Sequence, residues 1–153
     1  FINRMCRRIY VILMIHEVLE KAVLLKTKKA KIKFLKENNT LALRDILRGS
    51  FDDGIVFTLP KGSPPFNQDD APVGYSRTTL QHVTNRFSYF VKGGKGDALQ
   101  RPKVERMFIE ILEGVHVKEA ELVILMKDKK LTSVYKGITK SLVNEVFPEL
   151  IKQ

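Results

Sequence analysis

Lysines crowd one short stretch of the chain at a spacing that suits a phosphate backbone. Between positions 26 and 36 there are six lysines and no acidic residue. They are Lys26, Lys28, Lys29, Lys31, Lys33 and Lys36. Such a group can neutralise successive phosphates and release their condensed counterions. It is equally typical of a helix that stays solvated while it buries Ile32, Phe34 and Leu35. Both interpretations remain open, because lysine spacing carries no information about bases or shape.

A second group of cations surrounds an aromatic and glycine-rich segment. Residues 86–92 interleave aromatic and basic side chains, a mixture that stacks single-stranded bases. Helical spacing assigns Phe87 and Phe90 to the core, so Tyr89 is the stacking candidate. The amides of Gly93-Gly94 can converge on a phosphate, but Walker spacing is absent and a helix stop with a tight turn is favoured. The predicted nucleic-acid site therefore adds Tyr89, Lys92 and Lys95 to the six lysines.

The remaining reactive side chains form no catalytic or metal-binding motif. The three histidines are far apart in sequence, and the single cysteine, Cys6, has no C-x-x-C partner. Neighbouring carboxylates occur at Asp52-Asp53, Asp69-Asp70 and Glu119/Glu121. Loop solvation or helix-start electrostatics explains them without acid–base catalysis. We therefore expect a protein that is not an enzyme, with no metal and no cofactor.

Apolar residues recur at helical spacing along most of the chain. This predicts an all-α or nearly all-α fold, a compact bundle of five or six short helices. Thr27 and Thr40 are predicted to cap helices, Thr139 to begin the last helix, and Gly49 to supply a left-handed stop. Another helix is predicted from Ser76 or Thr78 to the Gly93-Gly94 turn. The predicted core includes Phe87, Phe90, Phe108, Ile111 and Leu112.

Prolines and glycines interrupt the middle of the chain. Residues 55–59 are β-branched and aromatic enough for a short strand or extended segment. From residue 60 to 76, prolines and glycines exclude regular structure, which predicts a Pro-rich central loop. The loop is longer than most connections inside compact domains, and this length favours a functional role.

Composition limits the chain to one basic domain. It has 153 residues, 44% hydrophobic, a net charge of +10 and a pI near 9.8. One domain over residues 14–153 is expected, with polyanions or acidic surfaces as partners. Residues 1–13 are predicted to be a non-native or dispensable extension, with the native start at Met14, and no export or membrane span is expected. The lone cysteine fits a reducing compartment.

Six phrases of the sequence resemble a family of small, functionally uncharacterised proteins from T-even-like tailed phages. That group of myoviruses includes phages that infect cyanobacteria. The phrases are residues 42–47, 59–66, 87–94, 105–109, 127–131 and 135–139. The resemblance runs from about Met14 to the end and implies a phage origin. It implies no catalytic residue, ligand or partner.

Charge and resemblance together give two hypotheses for function. The first is a non-enzymatic phage accessory protein that binds DNA or RNA, or a nucleoprotein complex, in the cytoplasm of the infected bacterial host. The second is a protein–protein adaptor or virion assembly component whose Pro-rich loop or helix face docks a phage or host protein. Steep salt dependence of binding distinguishes the first from the second. The sequence leaves the oligomeric state open.

Overall fold

The computed structural model describes residues 14–72 and 75–151, and this part of the chain is all-α. It contains eight α-helices: α1 Ile15–Leu24, α2 Lys28–Glu37, α3 Leu41–Phe51, α4 Leu80–Val83, α5 Arg101–Gly114, α6 Val117–Asp128, α7 Leu131–Val134 and α8 Lys140–Val146. Thr84–Tyr89 and Lys95–Ala98 form 3-10 helices. The all-α prediction is confirmed. The helices outnumber the predicted five or six, and two of them, α4 and α7, have only four residues each.

Three helices start where a threonine side chain replaces a missing backbone partner. The hydroxyl oxygens of Thr27, Thr40 and Thr139 each accept a hydrogen bond from the amide three residues later, at 3.1–3.2 Å. The first amides of a helix have no partner within the helix, so these bonds stabilise α2, α3 and α8 at their ends. The caps predicted at Thr27 and Thr40 and the helix start predicted at Thr139 are confirmed.

Helices α3 and α6 pack closely at the centre of the core. Gly49 lies inside α3, which continues to Phe51, so the predicted left-handed stop at Gly49 is wrong. A Cβ atom at Gly49 would lie 2.7 Å from the Sδ atom of Met126 on α6. The glycine therefore serves the close approach of two helices and not a turn. That contact joins positions far apart in sequence, which local spacing does not reveal.

Aromatic side chains join the middle of the chain to α5. Phe90 and Phe108 are buried, and their rings meet edge to face with centroids 5.3 Å apart. All five predicted core residues are at most 8% exposed, which confirms that prediction. They are Phe87, Phe90, Phe108, Ile111 and Leu112.

The helix predicted to run from Ser76 or Thr78 to Gly93-Gly94 is mostly absent. Only α4 is α-helical, and the chain continues as a 3-10 helix to Tyr89. Thr84, Asn85 and Ser88 have short polar side chains that compete for backbone hydrogen bonds and disfavour helix interiors. In addition, Gly94 lies so close to the Ser88 carbonyl oxygen that a Cβ there would overlap it. The turn at Gly93-Gly94 thus packs directly against the Ser88 carbonyl, near the end of the 3-10 helix.

The segment from residue 55 to 72 is irregular and is held by side chains from α5 and α6. Instead of a strand, residues 55–59 contribute one antiparallel bridge, between Phe57 and Val91. Farther along, the Lys127 ammonium group donates to the carbonyl oxygens of Pro60 and Gly62, at 2.6 and 3.0 Å. These contacts fix the start of the Pro-rich loop against the C-terminal end of α6.

Some predictions concern residues outside the described part of the chain. The proposed extension, residues 1–13, lies there, and so does Cys6. Within residues 14–72 and 75–151, no helix is long and apolar enough to cross a bilayer.

Candidate nucleic-acid interface

Helix α2 carries most of the predicted lysines and packs against α1 and α8. Leu35 is fully buried there, and Ile32 and Phe34 are partly buried against the same core. Because one side of α2 faces these neighbours, its lysines differ in their surroundings. The structure divides them into two groups.

Two of the lysines on α2 make contacts within the fold. The Lys28 ammonium lies 3.0 Å from a carboxylate oxygen of Glu145 and 3.5 Å from the Ser141 hydroxyl, both on α8. The Lys31 ammonium lies against Gly137, so closely that a Cβ atom there would be 2.6 Å away. Lys28 and Lys31 are therefore engaged with α8 and the turn before it.

The other lysines on α2 form an exposed cationic row. Lys29, Lys33 and Lys36 are exposed and follow one another at i, i+4 and i+7, so they lie on one face of the helix. No carboxylate lies within 4.0 Å of their ammonium groups in residues 14–72 and 75–151. We call these three residues the lysine stripe. Lys26 is also exposed and precedes the helix.

The glycine turn uses its own groups to satisfy the amides that might hold a phosphate. Gly93 has φ +84° and its amide donates to the Asp97 carboxylate at 2.7 Å, while the Gly94 amide donates to Val91 O at 3.0 Å. The Lys92 amide donates to Val56 O at 2.7 Å. The amides of Lys92, Gly93 and Gly94 are therefore already bonded within the protein, and the backbone here closes a tight turn.

Tyr89, Lys92 and Lys95 surround this turn in different ways. The Lys95 ammonium lies 5.9 Å from the centre of the Tyr89 ring, a cation–π contact. Tyr89 is half-buried and packs against the core, which reduces the ring area available to a stacked base. Lys92 and Lys95 are exposed. The structure thus assembles these three residues at one turn, while the stripe belongs to a different element.

Two arginines on α3 were not among the predicted residues. Arg44 and Arg48 are one helical turn apart on α3, and both are half-buried. Arg48 Nε lies 3.9 Å from the Asp52 carboxylate, which is beyond hydrogen-bonding distance, and this buried Nε has no acceptor in the described residues. The sequence could have identified them by their i, i+4 spacing on a predicted helix whose opposite face is apolar.

Two histidines that are distant in sequence meet in the core. The rings of His16 and His116 stack with centroids 5.2 Å apart, and His16 Nδ1 lies 2.9 Å from the Glu119 carboxylate. The Lys118 amide donates to His116 Nδ1, so that nitrogen is an acceptor. All three residues are buried. This cluster ties α1 to the start of α6, and no group of three or more His, Cys, Asp or Glu residues in the described ranges is suited to a metal.

Comparison with known proteins assigns the chain to a family without assigning a function. No curated protein matches it. A family model described as a family of unknown function, DUF6433, matches residues 18–133, from α1 into α7. The match contains the lysine stripe, the glycine turn and the Pro-rich loop, and it covers well over half of the chain. The chain therefore belongs to the DUF6433 family.

Proposed function

We propose that this protein is a non-enzymatic phage accessory protein that binds DNA or RNA in the cytoplasm of the infected bacterial host, through the lysine stripe on α2. The net charge of +10 speeds encounter with a polyanion. The sequence resemblance to proteins of T-even-like phages supports the cellular setting.

The proposal rests on three exposed lysines that lack an acid partner in the described residues and follow one another on one face of α2. The exposed lysines elsewhere include Lys118 and Lys140, which pair with Glu20 and Asp53 at 3.4 and 3.2 Å. A lysine that already has a carboxylate neighbour gains less from a phosphate, because it must exchange one anion for another. Three unpaired cations in a row on a well-packed helix meet a phosphate backbone without that exchange.

The experiment is a binding titration with fluorescent single-stranded and double-stranded oligonucleotides over a range of salt concentrations. One variant carries Lys29→Glu, Lys33→Glu and Lys36→Glu. A control variant carries Lys103→Glu, Arg106→Glu and Lys130→Glu, which are exposed and lie on or after other helices. Both variants change the net charge equally, so only the position of the charges differs between them.

The stripe variant should bind weakly to every sequence, and the slope of log affinity against log salt should fall by about 2–3 relative to the parent, corresponding to about three lost phosphate contacts. The control variant should keep most of the slope. Circular dichroism of both variants shows whether the helices persist. An equal loss of affinity in the two variants would show that only the net charge matters, and it would contradict a role for the stripe.

A second candidate function is supported by the Pro-rich loop. Its exposed residues, including Pro60, Lys61 and Pro65, are presented on a backbone that Lys127 holds in place. A preordered, proline-containing segment suits recognition by a protein groove, since little conformational entropy is lost on binding. This supports an adaptor or virion assembly role. Capture of partners from infected cells, with and without nuclease, distinguishes the two candidates: a protein partner that survives nuclease treatment favours the adaptor.

A further inference from the structure

A cavity of about 370 Å³ lies between α3 and the glycine turn, away from the lysine stripe. Arg48 from α3 and Lys92 from the turn line it, together with Asn85 and Ser88 from the 3-10 helix. Phe57 and Met126 also contribute to its lining and give it an apolar part. The volume lies within the range of small-molecule sites.

The walls of this cavity are fixed by close backbone packing. Gly94 presses on the Ser88 carbonyl, and Gly96 presses on the Tyr89 carbonyl so that any Cβ would overlap it. On the opposite side, Gly49 brings α3 against Met126. Asp97 holds the Gly93 amide at 2.7 Å. A site whose walls are already in place loses little conformational entropy when a ligand enters.

The charges that line the cavity favour an anion. Arg48 Nε pairs with the Asp52 carboxylate at 3.9 Å but makes no hydrogen bond in the described residues. No carboxylate in these residues lies within 4.0 Å of the Lys92 ammonium. The one carboxylate that lines the cavity is that of Asp45. Burial raises the pKa of Asp45, although the Thr84 side chain and the guanidinium groups of Arg48 and Arg44 act in the opposite direction. The lining therefore holds two cations and one carboxylate.

We propose that this cavity binds a nucleotide, with its phosphate on Arg48 and Lys92 and its base against the apolar part of the lining. The guanidinium supplies charge-assisted donors for phosphate oxygens, and the ammonium supplies a second positive charge. The Asn85 amide and the Ser88 hydroxyl provide donors and acceptors for a base edge or a ribose hydroxyl. An apolar surface beside two cations matches a molecule with a flat ring at one end and a phosphate at the other. The site goes beyond the proposed function, because it uses none of the stripe lysines.

Calorimetric titration with four probes tests the ligand class: adenosine 5′-monophosphate, adenosine, ribose 5-phosphate and inorganic phosphate. The monophosphate should bind at least about tenfold more tightly than any of the other three, since each of these lacks one of its parts. Adenosine or inorganic phosphate binding as tightly as the monophosphate would overturn the proposal. Failure of the monophosphate to bind the parent at millimolar concentration would do the same.

Matched variants test the location. Lys92→Gln should weaken monophosphate binding by about tenfold, because it removes a charge that faces the phosphate. Lys95→Gln is the control, since Lys95 belongs to the same turn but does not line the cavity. Arg48→Gln is the second test and should also weaken binding, with the unfolding transition measured alongside. Equal affinities of the Lys92→Gln and Lys95→Gln variants would place the ligand elsewhere and refute the assignment.

Two further measurements separate this proposal from the proposed function and identify the source of the nucleotide. The Lys29→Glu, Lys33→Glu, Lys36→Glu variant should bind the monophosphate like the parent; loss of that binding would contradict a separate site. Oligonucleotides with and without a 5′-phosphate then distinguish a strand end from a free nucleotide. If the monophosphate binds and the 5′-phosphorylated oligonucleotide binds more tightly than the unphosphorylated one, the natural ligand is a strand end. If the two oligonucleotides bind equally, the natural ligand is a free nucleotide.

Discussion

At the C-terminal end of α6, Lys127 and Lys129 direct their ammonium groups to backbone carbonyls, whereas on α2 Lys29, Lys33 and Lys36 hold theirs in solvent. The Lys127 side chain is only 2% exposed and also contacts the Asp128 carboxylate at 2.6 Å. The Lys129 ammonium donates to carbonyl oxygens at the end of α3. Lys127 and Lys129 therefore hold two neighbouring segments in place, whereas the stripe lysines contact no carboxylate within 4.0 Å in the described residues.

The difference shows that a lysine-rich segment can have either of two roles, structural contacts within the fold or an exposed cationic surface. Residues 127–130 and residues 26–36 are both rich in lysine. What separates them is the distance from each ammonium group to carbonyl and carboxylate oxygens, which depends on tertiary packing. A lysine with several acceptors at close range contributes to stability, and one without them remains available to a ligand. Substitution of single lysines measures how much each one contributes to the free energy of unfolding.

The largest effect is expected from Lys127→Ala. The substitution leaves the Asp128 carboxylate, 9% exposed, without its cation and frees the carbonyls of Pro60 and Gly62. Breaking a buried pair by removing one partner destabilises a protein by about 3–5 kcal/mol. Urea unfolding of the parent and the variant measures the difference.

Lys33→Ala is the control for this prediction. As an exposed residue without a close partner, it should change the free energy of unfolding by no more than about 0.5 kcal/mol. If Lys127→Ala were as mild as Lys33→Ala, the distinction between fastening and free lysines would be wrong.

A smaller effect is expected from Lys129→Met, which removes a cation from the C-terminal carbonyls of α3. The loss should be about 1 kcal/mol near neutral pH. Burial lowers the pKa of Lys129 below the ordinary 10.5, while Asp52 and Asp53 partly oppose the shift. The unfolded chain thus holds this proton to higher pH, so the stability of the parent relative to the variant should rise as pH approaches 10.5. Unfolding curves across that range would contradict this if the difference stayed constant or shrank.

The smallest effect is expected from Lys28→Gln. Lys28 and Glu145 are each about half exposed, so their ion pair should contribute about 0.2–1 kcal/mol and should weaken at high salt. Lys29→Gln, one position along the helix, should have no measurable effect on stability. Thermal unfolding at low and high salt compares the two. A larger loss from Lys29→Gln would show that a stripe residue has a structural partner.

Local chemistry made much of this fold predictable. A threonine before an amphipathic segment predicts a helix start, and α2, α3 and α8 begin in that way. Apolar spacing also identified the buried rings of Phe87 and Phe90, even though their backbone is mostly 3-10 and not α-helical. Side-chain burial follows from the spacing of hydrophobic residues, and it tolerates the small difference between the two kinds of helix.

Contacts between distant residues were not predictable in the same way. The role of Gly49 depends on Met126, the partner of Lys28 is Glu145, and His16 stacks on His116. None of these pairs leaves a local periodic signal, because each arises from the way the helices meet. For the same reason the sequence grouped six lysines on one segment, and only the packing of α2 against α8 separates Lys28 and Lys31 from the stripe.

Lysine acetylation read by mass spectrometry shows whether the stripe contacts nucleic acid. In the free protein Lys29, Lys33 and Lys36 should react readily and Lys127 should not. With a saturating oligonucleotide at low salt, the three stripe lysines should become protected while the exposed Lys103 and Lys130 stay reactive. Unchanged reactivity of the stripe in the presence of bound oligonucleotide would contradict the claim.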